Sequence, residues 1–243
     1  MSKFRVWLIV ILWGAWAPAQ AHAQTLSVAV PRIQHLLTVD NSGVYQQLMA
    51  LALENSGIAL DQSFLPYRRA LREFEQGKVD CIYSFTGVLQ GRLGADKVIY
   101  TYPLGTFRFY LFTEPGAAIM TSVSDTYGKT IGGIIGHDVY LKPFMEQGMA
   151  IDWVRTEAQL VEMLELGRLD AIVAALPDMQ PFTNRLTYAA DQPLVEDFDR
   201  LNCHNTEQNR TAIRTISEKL RQLHEQGRYE EVAGDYYLPF SHP

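Results

Sequence analysis

Glu75-Gln76-Gly77-Lys78-Val79-Asp80-Cys81-Ile82 and Glu165-Leu166-Gly167-Arg168-Leu169-Asp170-Ala171-Ile172 are one phrase written twice, ninety positions apart. In each copy an amphipathic run ends at a glycine, the residue that best closes a helix in the left-handed conformation. A basic residue, an apolar residue and an aspartate follow, and then a β-rich apolar stretch. Helix, turn and strand in that order, once per half of the chain, predict two α/β units of similar build.

The flanking sequence extends both units. Leu26–Val30 is a short β-type run ended by Pro31, and Val44–Ser56 carries apolar residues at helical spacing up to Gly57. Ile58–Leu65 predicts a second strand, Tyr67–Gln76 a second helix, and Lys78–Phe85 a third strand. In the second unit, Thr130–Ile135, Ile151–Val154 and Leu169–Ala175 predict strands. Val139–Gln147 and the segment opened by Thr156-Glu157-Ala158-Gln159 predict the helices between them. Strands alternating with helices at these intervals make a mostly parallel sheet with helices on its faces. The aromatic run Phe107–Thr113 predicts a strand leaving the first unit, and Arg200–His204 one that returns to it. The tail, Gln208–Tyr237, predicts a long amphipathic helix broken at Gly227.

The whole chain has 243 residues, is 47% hydrophobic and 20% charged, and has a net charge of −6. This is globular composition, and an acidic balance argues against nucleic acid as a partner. The N-terminus reads differently from the rest. Lys3 and Arg5 precede an apolar run from Val6 to Ala17, and Ala21-His22-Ala23 supplies small residues around a cleavage point. This is the layout of a secretory signal peptide over residues 1–23, cleaved after Ala23; the alternative is a membrane anchor. Without Lys3 and Arg5 the 21 basic residues fall to 19 against 27 acidic ones, a net charge of −8. The expected location is the periplasm, an oxidising compartment. There the even pair Cys81 and Cys203 favours a disulfide between the third strand and the returning one, and two separate buried thiols are the alternative.

Two such lobes behind a leader resemble the extracellular solute-binding proteins of family 3, the periplasmic receptors of polar amino acid ABC transporters. The likeness rests on order and spacing across nearly the whole mature chain. Asp80 is followed twelve positions later by Arg92, the second lobe opens with Gly128-Lys129-Thr130-Ile131-Gly132 and Gly136-His137-Asp138, and the chain closes with Gln226-Gly227-Arg228-Tyr229 and Asp235-Tyr236-Tyr237. The resemblance implies a type II periplasmic-binding fold of two α/β lobes joined by two crossings: lobe 1 over 26–112 plus 200–243 and lobe 2 over 113–199. It also implies a monomer that closes about a hinge on a small, carboxylate-bearing, amino acid-like ligand, an ABC permease as partner, and neither cofactor nor metal. Two departures stand out. Leu89-Gln90-Gly91 replaces the family's Thr-Pro-Glu, and Ala175 stands where the family places an aspartate for the ligand's ammonium, a contact worth about 1.5–3 kcal/mol.

Arg92, placed by the family spacing, is the expected carboxylate grip, since a guanidinium binds that group in bidentate fashion. Arg69 is the favoured guanidinium of Pro66-Tyr67-Arg68-Arg69, and Thr86 is a candidate donor at the end of the third strand. Tyr67, Phe85 and Tyr102 are candidate aromatic walls. Gly136, His137 and Asp138 ahead of a helix form a candidate anion site, with Asp138 read equally as a helix cap. Asp178 is a candidate replacement for the missing ammonium partner. The residues show no nucleophile elbow, no phosphate loop and no metal-ligand spacing, so a binding protein is expected and not an enzyme. The alternatives are a dehydratase-like enzyme using Glu114, Asp138 or Asp178, and a ligand-sensing partner of a membrane receptor.

Overall fold

In the computed structural model, which describes residues 24–240, the repeated phrase forms the same structure in both places. The helix α2 (Tyr67–Glu75) ends where Gly77 takes φ +66°, and α5 (Glu157–Glu165) ends where Gly167 takes φ +64°. The amides of Gly77 and Lys78 donate to the carbonyls of Phe74 and Glu73, and those of Gly167 and Arg168 donate to Leu164 and Met163. Each helix thus closes in a Schellman motif. The aspartates then tie the turn to the neighbouring strand. The amide of Ser27 donates to Asp80 Oδ2 at 2.8 Å, and the amide of Thr130 donates to Asp170 Oδ2 at 2.7 Å. The predicted leader lies outside the described residues.

The strands are β1 (Gln24–Pro31), β2 (Ile58–Leu65), β3 (Cys81–Phe85), β4 (Val98–Tyr100), β5 (Gly105–Phe112), β6 (Ile131–Ile134), β7 (Ile151–Val154), β8 (Ala171–Leu176) and β9 (Val195–His204). They form one sheet in the order β2-β1-β3-β9-β5-β8-β6-β7, with β4 also paired to β9. At one end β2, β1 and β3 are mutually parallel, and at the other β8, β6 and β7 are. Between them run two antiparallel strands. β5 pairs with β9 through Gly105–Phe109 and with β8 through Arg108–Phe112, and β9 continues alongside β3 from Asp199 to Cys203. These two strands are the only ones among the described residues that hydrogen-bond one half of the sheet to the other.

The remaining helices are α1 (Val44–Leu53), α3 (Thr86–Leu93), α4 (Asp138–Glu146), α6 (Glu207–Glu225) and α7 (Arg228–Ala233). α1, α6 and α7 pack together against the first half, burying Leu48, Ile213, Ile216 and Leu220. Most element boundaries fall within two or three residues of those read from the sequence. The main differences are α3 and β4, both unforeseen, and β9, which begins at Val195 and not at Arg200. Cys81 and Cys203 face each other across the β3–β9 ladder and are bonded. No helix is long and apolar enough to cross a membrane among the described residues.

Candidate functional site

All six parallel strands end on the same cleft. Open α/β sheets place ligands outside the carboxyl ends of their strands, where chain segments diverge. Pro31, Arg32, Ile33 and Gln34 follow β1, Pro66, Tyr67 and Arg68 follow β2, and Phe85 ends β3. From the other half come Ile135, Gly136 and His137 after β6, Arg155, Thr156 and Glu157 after β7, and Asp178 after β8. Phe107 and Asp199, on the crossing strands, complete a cavity of about 430 Å³.

The two halves touch across it. Arg68 at the start of α2 bonds to Asp138 at the start of α4, at 2.7 Å. The Tyr140 ring lies against Phe85, with centroids 4.4 Å apart, and against Tyr67 at 5.4 Å. The Tyr67 hydroxyl is 2.7 Å from Ser84 Oγ. Burial raises the Tyr67 phenol to about 12, so it remains neutral.

The cleft's charges are sorted by depth. Arg32, Arg68 and Arg155 are exposed at the mouth, and Arg32 and Arg155 have no side-chain partner among the described residues. Asp199 lies on the floor, 4% exposed, and accepts from the Tyr45 hydroxyl at 3.2 Å. Burial raises its carboxyl to about 7, with Asp197 adding to the shift and Tyr45 opposing it. Tyr45 reaches it across Gly105, where a Cβ would lie 2.7 Å from the phenol oxygen, so no other residue fits without displacing the ring. Asp178 is pushed well above the carboxylate range by burial and then by the charges of Glu157 and Asp199. As a residue it is partly accessible, but its Oδ1 is buried and has no hydrogen-bond partner. Burial raises Glu157 as well. A carboxylate without a partner is costly to bury, and a cation arriving from the cleft removes that cost.

Of the residues singled out from the sequence, Tyr67, Phe85, Gly136, His137 and Asp178 converge here. Arg92 does not line the cleft. It sits in the last turn of α3, and its Nε bonds to Glu75 of α2. Arg69 points along its own helix toward Glu73, and its neighbour Arg68 is the one that faces the opening. Thr86 is committed to the interior, donating to Asn202 Oδ1 at 2.7 Å. Tyr102 lies away from the cleft, with its hydroxyl 2.8 Å from His224 Nδ1. Asp138 is the first residue of α4 and bridges to Arg68; the cap position belongs to His137, whose side chain makes no capping bond. Burial lowers His137 to about 4, so the ring is neutral at neutral pH and adds no charge for an anion. Glu114 is exposed beyond β5 and lies outside the lining. Arg32, Arg155, Glu157, Tyr140 and Asp199 were missed. Arg32 and Arg155 each directly follow a parallel strand, which was a readable signal. Asp199 lies one residue before the strand expected at Arg200, and the sequence carries no sign that Tyr45 would support it.

Comparison with solved structures identifies the architecture. A sensor domain of a histidine kinase, described as similar to periplasmic binding proteins, matches with TM-score 0.67 at 16% identity, covering 92% of this chain and 100% of that one. An amino acid ABC transporter substrate-binding protein from Streptococcus pneumoniae, bound to L-arginine, matches with TM-score 0.64 at 16% identity, over 87% and 94% of the two chains. An ancestral amino acid-binding protein, a precursor of cyclohexadienyl dehydratase, matches with TM-score 0.66 at 14% identity, over 88% and 95%. The chain has the type II periplasmic-binding-protein fold. No family model and no curated protein matches its sequence. The buried acids and the free arginines gather in the cleft at the carboxyl ends of the parallel strands.

Proposed function

We propose that the chain is a divergent solute-binding protein of the family 3 type, exported to the periplasm, which captures one small ligand in this cleft and delivers it to an ABC permease. The reading divides the chain into lobe 1, residues 26–112 plus 200–243, and lobe 2, residues 113–199, hinged on β5 and β9. The observation that carries it is the buried, unpartnered Oδ1 of Asp178 inside a cleft built from both halves. Ala175 leaves the family's ammonium position empty, and Asp178 offers a carboxylate three residues on. The ligand then carries an amino group toward Asp178 and a carboxylate toward Arg155 and Arg32 at the mouth, while Tyr67, Phe85 and Tyr140 wall its apolar part. Arg92 holds α3 to α2 through Glu75 instead of holding the ligand.

Two neighbours favour other uses of the same fold. The histidine kinase sensor domain supports a sensing role, and the dehydratase precursor supports an enzymatic one. Of the three acids named for catalysis, only Asp178 lines the cleft.

A thermal-shift screen of amino acids and simple carboxylates tests the reading. A ligand at 100 times its Kd raises stability by about 2.7 kcal/mol. The account expects amino-bearing carboxylates to raise the melt and to be recovered unchanged after incubation. Turnover of the compound that raises it would replace transport with catalysis. Failure of every amino-bearing carboxylate would refute the assigned ligand class.

A further inference from the structure

A second groove lies away from the cleft, between β4 and α6. Two adjoining cavities, of about 520 and 450 Å³, share Tyr100, Ser217 and Arg221. One wall is a stripe of α6: Arg210, Arg214, Ser217 and Arg221 stand at i, i+4, i+7 and i+11, which is one face of a helix. The other wall is β4 with Arg200 of β9 behind it. Arg200 donates to the Thr101 carbonyl at 3.0 Å and stands over the Tyr100 ring at 4.8 Å. Arg210 is already tied to Glu207 and Asn205. Arg214 is exposed and has no partner among the described residues, and Arg221 is exposed with only the Tyr102 ring beneath it. The lining sets four arginines against Glu218 and Glu225.

This concentration is unusual for the chain that carries it. The body beyond the leader has a net charge of −8, yet four of its basic residues meet in one groove. The ladder supplies the second feature. β4 pairs with β9 on one side, and no described strand pairs with its other side. Thr101 and Lys97 bond to β9 through Leu201 and Asn205, so the alternate residues Val98 and Tyr100 turn their amides and carbonyls away from β9; Val98 is buried, and Tyr100 is the exposed one. An unpaired edge is a template for an extended chain.

We propose that this groove docks an extended acidic segment of a partner protein, which adds to the open edge of β4 and sets its carboxylates against Arg214, Arg221 and Arg200. From Arg210 to Arg221 the helix rises about 16 Å, the length of about five extended residues. Acidic side chains at alternate positions of such a segment face the stripe together. The exposed Tyr100, 42% accessible, provides the apolar contact at its centre. The proposal does not depend on the ligand assigned to the cleft.

The probe is a fluorescein-labelled pentapeptide of alternating glutamate and valine, titrated by anisotropy into the mature protein at 50 mM salt. The lysine-valine pentapeptide and a ten-nucleotide single-stranded DNA are titrated beside it. The acidic peptide should bind saturably and lose at least tenfold in affinity in the Arg214→Glu, Arg221→Glu double variant, both positions being exposed. Hydrogen exchange should slow at the amide of Tyr100 when it binds, and an unchanged melting temperature shows that the variant is folded. Absence of saturable binding overturns the proposal. So does equal binding of the lysine peptide, tighter binding of the DNA, unchanged affinity in the double variant, or binding without protection at β4.

Discussion

Replacing Cys81 and Cys203 by serine is the perturbation whose magnitude follows most directly from the structure. The bond joins directly opposed residues of β3 and β9 across a sequence separation of 122. In the chain-entropy description, closing a loop of that length removes about 16 cal/mol/K from the unfolded ensemble, or about 5 kcal/mol at 25 °C. At roughly 2–4 °C per kcal/mol for a protein of this size, the melting temperature should fall by about 10–20 °C. The consequence reaches the cleft, because Phe85 ends the same strand as Cys81 and Asp199 lies four residues before Cys203. Calorimetry on the oxidised wild type, the reduced wild type and the double serine variant reads the effect. The oxidised protein should melt highest, and the other two should melt together. A difference below about 1 kcal/mol, or two free thiols in protein purified without reductant, would refute the reasoning.

Three further outcomes follow from the site. Asp199 is raised to about 7 in the folded protein against an ordinary value of 3.8, so the native state holds a proton that the unfolded state has lost. Stability without ligand should therefore fall as pH rises from about 4 to 7, and Asp199→Asn should flatten that part of a denaturant-midpoint profile. Gly105→Ala should cost about 1–3 kcal/mol, because its Cβ displaces the Tyr45 ring from Asp199; urea titration measures it, and a loss below 0.5 kcal/mol contradicts the close approach. Asp138→Ala removes the Arg68 bridge across the mouth, an exposed pair worth about 0.2–1 kcal/mol. Small-angle scattering should then show a more open average shape without ligand, and ligand affinity should change by less than about fivefold.

The sequence showed the fold more clearly than the site, and the reason is physical. The repeated phrase works through backbone chemistry: a left-handed glycine, a Schellman closure and an aspartate tied to an amide, all within a few residues. Local chemistry of this kind is legible without tertiary context. α3 was hidden because it starts at Thr86 directly from the strand and contains Gly87 and Gly91, both poor helix formers. The choice between Arg68 and Arg69 turns on a rotation of about 100° around a helix, which two adjacent arginines do not disclose. Arg92 kept the family's spacing, but Glu75, the last residue of α2, captures it. Tyr102 shows that an aromatic residue carries no mark of the face it occupies, since it packs toward His224 and not toward the cleft. Asp178, which lines the cleft, was singled out because the chain lacks an acid at Ala175, and that absence directed attention to the next carboxylate along.

The central claim is that Asp178 receives the amino group of a small ligand held between the two halves. Isothermal titration of wild type and Asp178→Asn, with the compound that most raises the wild-type melt, measures this directly. The account predicts one site per chain and an affinity about 10- to 150-fold weaker in the variant, the range of a charge-assisted hydrogen bond of about 1.5–3 kcal/mol. Equal affinities in the two proteins, or heat that does not saturate near one equivalent, would contradict it.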